Sequence, residues 1–408
     1  MLQSISMKQL IAKKYRRFIL YIEIFIVIML LPVFYNLASV KNGNTTFYIY
    51  SSGIDNVVST LEKNGYTVTF IDRLMLQIIR TPDEGWYSVD PDEYGRLFFY
   101  EYLHRKKSET MDIVIFAGET RDELIERLSK DMKLDQNKLT KAYKTLSRFK
   151  EADILAKKYT VARKADEDSI MEYLFYISKV EFKKLEQKNS KRQKLKTLLT
   201  IASIIQKESN KKKEMSIISS VIYNRLDKNM RLQIDGTLNY GKHSHTIVTP
   251  ERIKNDKSRY NTYKHKGLPP TPLATVSLDS LNAAIAPRDS DYLYFMLNKD
   301  GNHSFSVTYD EHLKKIKVFR AYQKEKADKK RRKLKKESRK KAKAEAIKKK
   351  KMAKEVRRKK LAEKKRKEML NTHSEEAKEI KGNKTTTEDM NLSLKDTNSS
   401  SKKNNLSK

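Results

Sequence analysis

The sequence predicts an α+β fold class with a single N-terminal transmembrane helix and a basic C-terminal tail that is helical or disordered. Three observations lead to this prediction: one apolar run near the N-terminus, short strand and helix patterns that alternate through the middle of the chain, and an abrupt rise in Lys and Arg content near the end. The chain has 408 residues and no cysteine, so its folded part depends on hydrophobic cores and carries no disulfide.

A transmembrane helix is expected at residues 18–40, after a basic segment at residues 1–17. The apolar run begins FILYIEIFIVIMLLPVFY, which is long enough for one span, and basic flanks stay on the cytoplasmic side of a membrane. A cleaved signal peptide is the alternative, but no convincing small-x-small cleavage site follows the apolar core. We therefore expect an uncleaved anchor in the inner (cytoplasmic) membrane, with the chain after about Lys41 in the periplasm or another exoplasmic space.

One or two small α+β modules are expected between the anchor and residue 191. In the first region, residues 41–110, Thr45–Tyr50 has the β-branched and aromatic composition of a strand. Asp55–Asn64 reads as a helix and Tyr66–Ile71 as a second strand.

The second region, residues 111–190, is expected to hold another strand–helix pattern and connecting helices. Met111–Phe116 predicts a strand, and Arg121–Lys130 predicts an amphipathic helix after a short turn. Thr120 stands at the N-cap position of that helix, which has acidic residues in its first turn.

Residues 198–209 predict a helix that buries one face and ends in an acidic residue. Apolar residues recur at the i, i+3, i+4, i+7 spacing of such a helix: Leu198, Ile201, Ala202 and Ile205. Glu208 continues the same stripe, where a carboxylate is costly unless something uses or satisfies it. The plainer alternative is a solvated glutamate, because the run Lys211–Lys213 indicates that the helix end reaches water.

The sequence from this helix to about residue 305 contains a series of short motifs in a fixed order. They are Lys207-Glu208, Asn224-Arg225-Leu226, Gln233/Asp235/Thr237, Asn261-Thr262-Tyr263, Gly267-Leu268-Pro269-Pro270, Asp291-Tyr292-Leu293-Tyr294-Phe295 and His303-Ser304-Phe305. Each tetrapeptide alone is a weak signal, but the ordered set is specific. It resembles the bacterial endolytic murein transglycosylases of the YceG-like family.

The resemblance implies an α+β catalytic domain at residues 191–322 that cleaves the MurNAc–GlcNAc β-1,4 bond inside glycan strands. Ordinary glycosidases need two carboxyl groups, but in a lytic reaction the C6 hydroxyl of the substrate attacks C1 and closes a 1,6-anhydro ring. Glu208 would protonate the leaving oxygen and then act as base toward that hydroxyl. No cofactor is implied, and the product would terminate the elongation of nascent strands.

Glu208 must be protonated before the first step, and its predicted surroundings favour a raised pKa. Burial against neighbouring isoleucines disfavours the charged carboxylate, and so does a helix C-terminus. Lys207 and Lys211 act in the opposite direction.

Two positions depart from the family's usual motif. Gln206 stands where the family often has Glu, and the helical geometry places it on the other side of the helix from Glu208. Gly236 stands where the family usually has Pro, which relaxes the backbone of the loop without removing a reacting group. Neither change argues against activity.

The polar residues of the motifs are candidate substrate-binding residues: Asn224, Arg225, Gln233, Asp235, Thr237, Asn261 and Tyr263. The alternation of Leu232 and Ile234 with Gln233 and Asp235 is strand-like, so the polar members would line one side of a cleft. Arg225 could bind substituents of the sugar through its planar guanidinium, or form a structural ion pair with Asp235.

Three histidines, at positions 243, 245 and 303, do not form a recognisable metal site. His243 and His245 lack the i, i+4 helical pairing of zinc proteases and have no cysteine partner. We therefore expect no metal.

The resemblance also implies a LysM-like glycan-binding module at residues 111–190, ahead of the catalytic domain, with a purely structural module as the alternative. It implies glycan strands of peptidoglycan as substrate and penicillin-binding cell-wall synthases as partners. A membrane-tethered murein-binding scaffold that recruits synthases without cutting is the alternative function. Within the enzyme class, a hydrolytic muramidase is a rival that only the chemistry of the products separates.

The C-terminal part changes character at about residue 323. Residues 324–370 contain 26 Lys or Arg against 7 Asp or Glu and no apolar stripe, which predicts a highly basic segment that is helical or disordered. Residues 371–408 are rich in Ser, Thr, Asn and Lys and are expected to be disordered. Because the predicted topology separates this tail from nucleic acid, anionic lipid head groups or murein carboxylates are the expected partners, and a solvated appendage is the alternative.

Overall fold

The computed structural model describes residues 2–38, 40, 44–89, 95–187 and 193–381. The chain divides into two units, residues 1–319 and 320–408.

Helix α1 (Leu2–Leu37) contains the predicted anchor. Within the described residues, Gln9–Leu37 is the one stretch of helix that is long and apolar enough to cross a membrane. Its side chains from Gln9 to Phe34 are exposed, so the apolar surface is not used in packing against the rest of the chain. The helix ends three residues before the predicted end of the span.

The N-terminal region pairs two short strands and packs three helices against them. Strands β1 (Thr46–Ile49) and β2 (Gly85–Ser88) are antiparallel, and the helices are α2 (Ile54–Lys63), α3 (Phe70–Ile79) and α4 (Arg96–Arg105). Its core consists of apolar and aromatic side chains from all of these elements, including Phe47, Val57, Leu61, Leu76, Tyr87 and Phe99.

The strand predicted at Tyr66–Ile71 is wrong, because a helix begins there instead. The Thr69 side chain accepts a hydrogen bond from the backbone N–H of Asp72, and the Asp72 carboxylate accepts one from the backbone N–H of Thr69. This reciprocal capping box satisfies free N–H groups at the helix start, and it outweighs the aromatic and β-branched composition of the segment.

The next region confirms the strand and the helix that were predicted after residue 110. Strand β3 (Thr110–Val114) is followed by α5 (Arg121–Met132) and α6 (Gln136–Leu146). The chain continues through β4 (Leu155–Ala156), β5 (Lys158–Ala162), which pairs antiparallel with β3, and the long helix α7 (Glu167–Glu186). Thr120 caps α5 as predicted, in a capping box with Glu123.

The region after residue 193 is mostly helical. Its elements are α8 (Leu195–Glu208), α9 (Lys212–Asp227), α10 (Pro250–Asn255), β6 (Val276–Ser277), α11 (Leu278–Ile285), β7 (Tyr294–Leu297) and β8 (His303–Ser306). Strands β7 and β8 form an antiparallel hairpin, and β6 pairs in parallel with β4 of the preceding region. Helix α8 lies at the centre of the core and has nine consecutive buried residues, from Leu198 to Gln206.

Helix α12 begins at Tyr309 and ends at Lys381, so the predicted basic segment is helical. Its side chains from residue 323 to residue 372 are exposed. The helix continues past residue 370, where the sequence predicts the start of a disordered tail, and residues 382–408 of that tail lie outside the described residues.

Candidate active site

Glu208 is the last residue of α8, and its side chain lines a cavity of about 450 Å³. The buried face of α8 fixes the position of its backbone, and Ser209 directly after it is extended, which ends the helix. Glu208 itself is half-buried. The apolar stripe of the helix therefore carries one carboxyl group to the wall of a cavity.

The backbone of Gly236 approaches the Glu208 carboxyl group closely. The N–H of Gly236 donates a hydrogen bond to Glu208 Oε1 over 2.9 Å. A Cβ atom at position 236 would lie 2.5 Å from the same oxygen and 3.0 Å from Cβ of Lys207. A Cβ atom at position 236 would therefore displace the Glu208 carboxyl group from the place it has in this chain.

Burial raises the pKa of Glu208 to about 7. The N–H of Gly236 acts in the opposite direction because it stabilises the charged form, and the negative charge of Asp235 adds to the increase. The two lysines that the sequence places nearby are held elsewhere: Lys207 Nζ donates to the Gly118 carbonyl at 2.8 Å, and Lys211 Nζ donates to Asn302 Oδ1. A substantial fraction of Glu208 is therefore protonated near neutral pH.

Three more predicted residues line the same cavity, close to the 3-10 turn Asp235–Leu238. Asp235 Oδ1 accepts a hydrogen bond from the Tyr263 hydroxyl over 2.6 Å. Gln233 is exposed and has a left-handed backbone with φ of 50°. The segment is not the predicted strand, yet the alternation holds: Leu232 and Ile234 are buried, whereas Gln233 and Asp235 face solvent.

Arg225 also lines the cavity, but its guanidinium binds mainly backbone carbonyl groups. It donates to the carbonyls of Leu232 and Leu293, both over 2.6 Å, and lies 5.1 Å from the centre of the Tyr294 ring. Among the described residues, no ion pair joins Arg225 to Asp235, so that alternative is wrong. Arg225 thus ties the loop before the 3-10 turn to Leu293, the residue that directly precedes β7.

The other three predicted residues are not brought to the cavity. The Asn224 amide donates to the carbonyls of Ser290 and Tyr292 at 2.7 and 3.0 Å. Thr237 is fully buried, where its hydroxyl donates to the Ile234 carbonyl over 2.7 Å. Asn261, also fully buried, donates to two backbone carbonyls of the α10 segment. These side chains hold the loops around the cavity and do not face it.

A second wall of the cavity consists of residues that had no role predicted from the sequence. They come from β7, β8 and the first turns of α12: Tyr294, Phe295, Met296, Leu297, His303, Tyr309, His312 and Ile316. The motifs that contain Tyr294 and His303 are visible in the sequence. Their position in the same cavity as Glu208 is not, because it depends on how the β7–β8 hairpin packs.

The family profile described as the YceG-like family matches residues 50–318, more than half of the chain. The chain belongs to the YceG-like family. The match includes α8, the cavity and both walls.

Individual relatives in this family match over shorter lengths. An endolytic murein transglycosylase of Bacillus subtilis is 41% identical over 151 residues, which is 36% of this chain and 41% of the relative. A protein of the same name from Streptococcus pneumoniae is 36% identical over 121 residues, 28% of this chain and 22% of the relative. The chain thus spans less than half the length of these relatives. A crystal structure of a YceG-like protein from Listeria monocytogenes has a TM-score of 0.44 at 26% identity, and it covers 66% of this chain and 97% of that one.

The two departures from the usual YceG-like motif differ in their surroundings. Gln206 is buried and does not line the cavity, since its amide bonds to Asn210 and to the Ser277 hydroxyl, each over 2.7 Å. Gly236, in contrast, contacts Glu208 directly through its N–H. The second departure therefore bears on the candidate acid and the first does not.

Proposed function

We propose that this protein is a membrane-anchored endolytic peptidoglycan lytic transglycosylase that cleaves MurNAc–GlcNAc β-1,4 bonds within nascent glycan strands. The observation that carries the proposal is Glu208, a carboxyl group with a pKa raised to about 7 in the wall of a cavity. The names of the Bacillus and Streptococcus relatives support the same reaction class. The products would carry 1,6-anhydro-MurNAc ends, so that each cut terminates a strand.

In the proposed reaction, protonated Glu208 donates its proton to the glycosidic oxygen as the bond from that oxygen to C1 breaks. The oxygen of the C6 hydroxyl on the same MurNAc then bonds to C1, and its proton passes to the Glu208 carboxylate. This closes the anhydro ring and returns Glu208 to its protonated form. No water molecule is consumed, so one carboxyl group serves as acid and then as base.

We assign the residues around Glu208 to binding and positioning. Asp235 places a negative charge near C1, where positive charge develops, and also favours the protonated form of Glu208. Gln233 and Tyr263 offer polar groups to the sugar hydroxyls or acetamido groups. Arg225 is a positioning residue, because its hydrogen bonds are made to the backbone of both walls.

Asn224, Thr237 and Asn261 were candidate substrate-binding residues, and we now propose that they support the site from behind. Each uses its polar side chain to bind backbone carbonyls of loops that border the cavity. Their replacement would therefore move the cavity walls, and direct loss of a substrate contact is not expected.

Hydrolysis by water, as in a muramidase, is the second candidate, because Asp235 provides another carboxyl group in the same cavity. It could activate a water molecule in place of the C6 hydroxyl. The hydrogen bond from Tyr263 to Asp235 favours the positioning role instead.

The proposed membrane anchor is helix α1, and the proposed partners are assigned to the region β3–α5–α6–β5 and to the basic tail. An apolar α1 with basic residues ahead of it supports an inner-membrane anchor with the catalytic region in the periplasm, which is where murein lies. The region β3–α5–α6–β5 remains our proposed LysM-like glycan-binding module. Contact with penicillin-binding synthases, and contact of the basic tail with anionic lipid or murein carboxylates, are proposals of the same kind.

Incubation of purified murein with the full-length protein in detergent, beside a Glu208→Gln variant, tests the proposed function. We expect soluble fragments with 1,6-anhydro ends from the wild type and at least a thousandfold fewer from the variant. Gln preserves the shape of the side chain, so binding of murein should persist. Binding by both forms without any cleavage would instead support the scaffold.

A further inference from the structure

His303, the first residue of β8, lines the same cavity as Glu208 and is held there at two points. Its Nδ1 is 2.8 Å from Glu214 Oε2, and its backbone N–H donates to Glu214 Oε1 over 3.0 Å. Only about 10% of the His303 side chain is exposed. The ring of Phe295 contacts the imidazole edge to face, with 5.4 Å between ring centres. The orientation of the imidazole is therefore fixed before any ligand binds.

Glu214, in the first turn of α9, also connects this histidine to the end of α8. Its Oε2 accepts a hydrogen bond from the hydroxyl of Ser209, which follows Glu208 in the chain, over 3.0 Å. Burial acts to raise the pKa of Glu214, but the hydrogen bonds from His303 and Ser209 outweigh it and hold that pKa below its usual value. A carboxylate at this place makes Nδ1 of His303 the donor.

With the proton on Nδ1, the Nε2 atom of a neutral imidazole is a hydrogen-bond acceptor. Among the described residues, Nε2 of His303 has no hydrogen-bond partner, whereas Nδ1 has one. Nε2 is accessible to solvent, and His303 lines the same cavity as Glu208. Nε2 of His303 is thus an oriented acceptor without a protein partner, on a residue that lines a ligand-sized cavity. Such a group is suited to accept a hydrogen bond from a ligand.

We propose that His303 is a substrate-binding residue, whose Nε2 accepts a hydrogen bond from a hydroxyl or amide N–H of the saccharide bound beside Glu208. Glu214 is the positioning residue that sets the ring and its tautomer. This inference rests on the proposed function, since it names a further contact in the same site. The competing role is a structural one, in which the histidine only ties the β7–β8 hairpin to α9 through Glu214.

Two substitutions at position 303 separate these roles, because asparagine reproduces the Nδ1 side of histidine and glutamine reproduces the Nε2 side. His303→Asn retains a donor toward Glu214 and loses the group that faces the cavity. His303→Gln retains a polar group near Nε2 and loses the bond to Glu214. If Nε2 binds the substrate, kcat/KM of the full-length protein in detergent should fall about tenfold or more in His303→Asn, and less in His303→Gln. An equal loss or the reverse order overturns the proposal.

The same two substitutions in a Glu208→Gln background provide a readout that does not require cleavage. We expect His303→Asn to weaken the binding of purified glycan strands more than His303→Gln does, with the melting temperature measured alongside. If the wild type releases no fragments, the proposed function fails, and this binding order still decides the role of His303. If the wild type cleaves murein and His303→Asn binds strands as tightly as its parent, only the inference about His303 fails.

Discussion

At the scale of single residues, the proposed reaction depends on one carboxyl group whose surroundings control its proton. Burial and the charge of Asp235 favour the protonated form of Glu208, and the N–H of Gly236 favours the charged form. The periodicity of α8 was enough to single out Glu208 in the sequence. The Gly236 contact was not predictable, because it depends on a loop 28 residues later that returns to the helix end.

Replacement of Gly236 by alanine should impair catalysis through Glu208. The added Cβ would lie 2.5 Å from Glu208 Oε1, so the carboxyl group must move away from its hydrogen bond. Small displacements of an acid cost large factors in rate, and we expect kcat to fall by about a hundredfold with little change in murein binding. Gly53→Ala is the matched control, since its Cβ would meet only the flexible Asn56 side chain at 3.3 Å. A Gly236→Ala rate within twofold of wild type would contradict this role.

The rate of cleavage should fall as the pH rises through about 7. Glu208 must carry a proton for the first step. Because its pKa is about 7, each further pH unit above this value lowers the protonated fraction of Glu208 about tenfold. A pH profile of kcat/KM, measured at constant ionic strength, checks this. A rate that stays level to pH 9 would rule out Glu208 as the acid.

The same raised pKa predicts a pH-dependent stability. The pKa of Glu208 in the folded protein lies above its ordinary value of 4.5, so the folded state binds more protons between pH 4.5 and about 7. The wild type should therefore lose stability relative to Glu208→Gln as the pH rises through this window, on the order of 1–3 kcal/mol. Equal pH dependence of the two proteins in denaturant titrations would be inconsistent with a raised pKa.

At the scale of elements, local signals decided what could be predicted. Helix α5 was predictable because Thr120 and Glu123 form a capping box ahead of an amphipathic run. Helix α3 was missed although Thr69 and Asp72 form the same motif, because the aromatic and β-branched composition of the segment favoured a strand. A short apolar run fits a strand and a helix equally well in the sequence alone. In the folded chain the buried side chain of Leu76 packs in the core as part of a helix.

Asp72 also anchors an ion pair with Arg96 that should be important for the stability of the N-terminal region. The two side chains are 0% and 5% exposed, and the guanidinium donates to both carboxylate oxygens over 2.9 and 2.6 Å. Arg96→Ala leaves a buried carboxylate without its main partner, which should cost about 3–5 kcal/mol of unfolding free energy.

Arg105→Ala, on the same helix, is the matched control for this prediction. Arg105 pairs with Glu101 at the surface, where it is 69% exposed, so the loss should stay below about 1 kcal/mol. Chemical denaturation of the full-length protein in detergent compares the two variants. Similar losses of unfolding free energy in the two variants would show that the buried Asp72–Arg96 pair stabilises the fold no more than the exposed pair does.

At the scale of the whole molecule, the described residues combine a helix suited to a membrane, two small α+β regions, a helical region with a cavity and a long basic helix. The composition of the sequence predicted the membrane helix and the basic segment. The motif order predicted the family and one wall of the cavity, including Gln233, Asp235 and Tyr263. The second wall lay beyond prediction, since His303 and its neighbours reach Glu208 only through the packing of a distant hairpin.

In the proposed reaction, Glu208 and the C6 hydroxyl of the substrate cut the strand without water. Digestion of murein in water labelled with heavy oxygen, followed by mass analysis of the fragment ends, tests it most directly. We expect the wild type to release anhydro ends that contain no heavy oxygen, and Glu208→Gln to release none. Reducing ends that carry heavy oxygen would contradict the claim and identify hydrolysis, with Asp235 as the group to examine next.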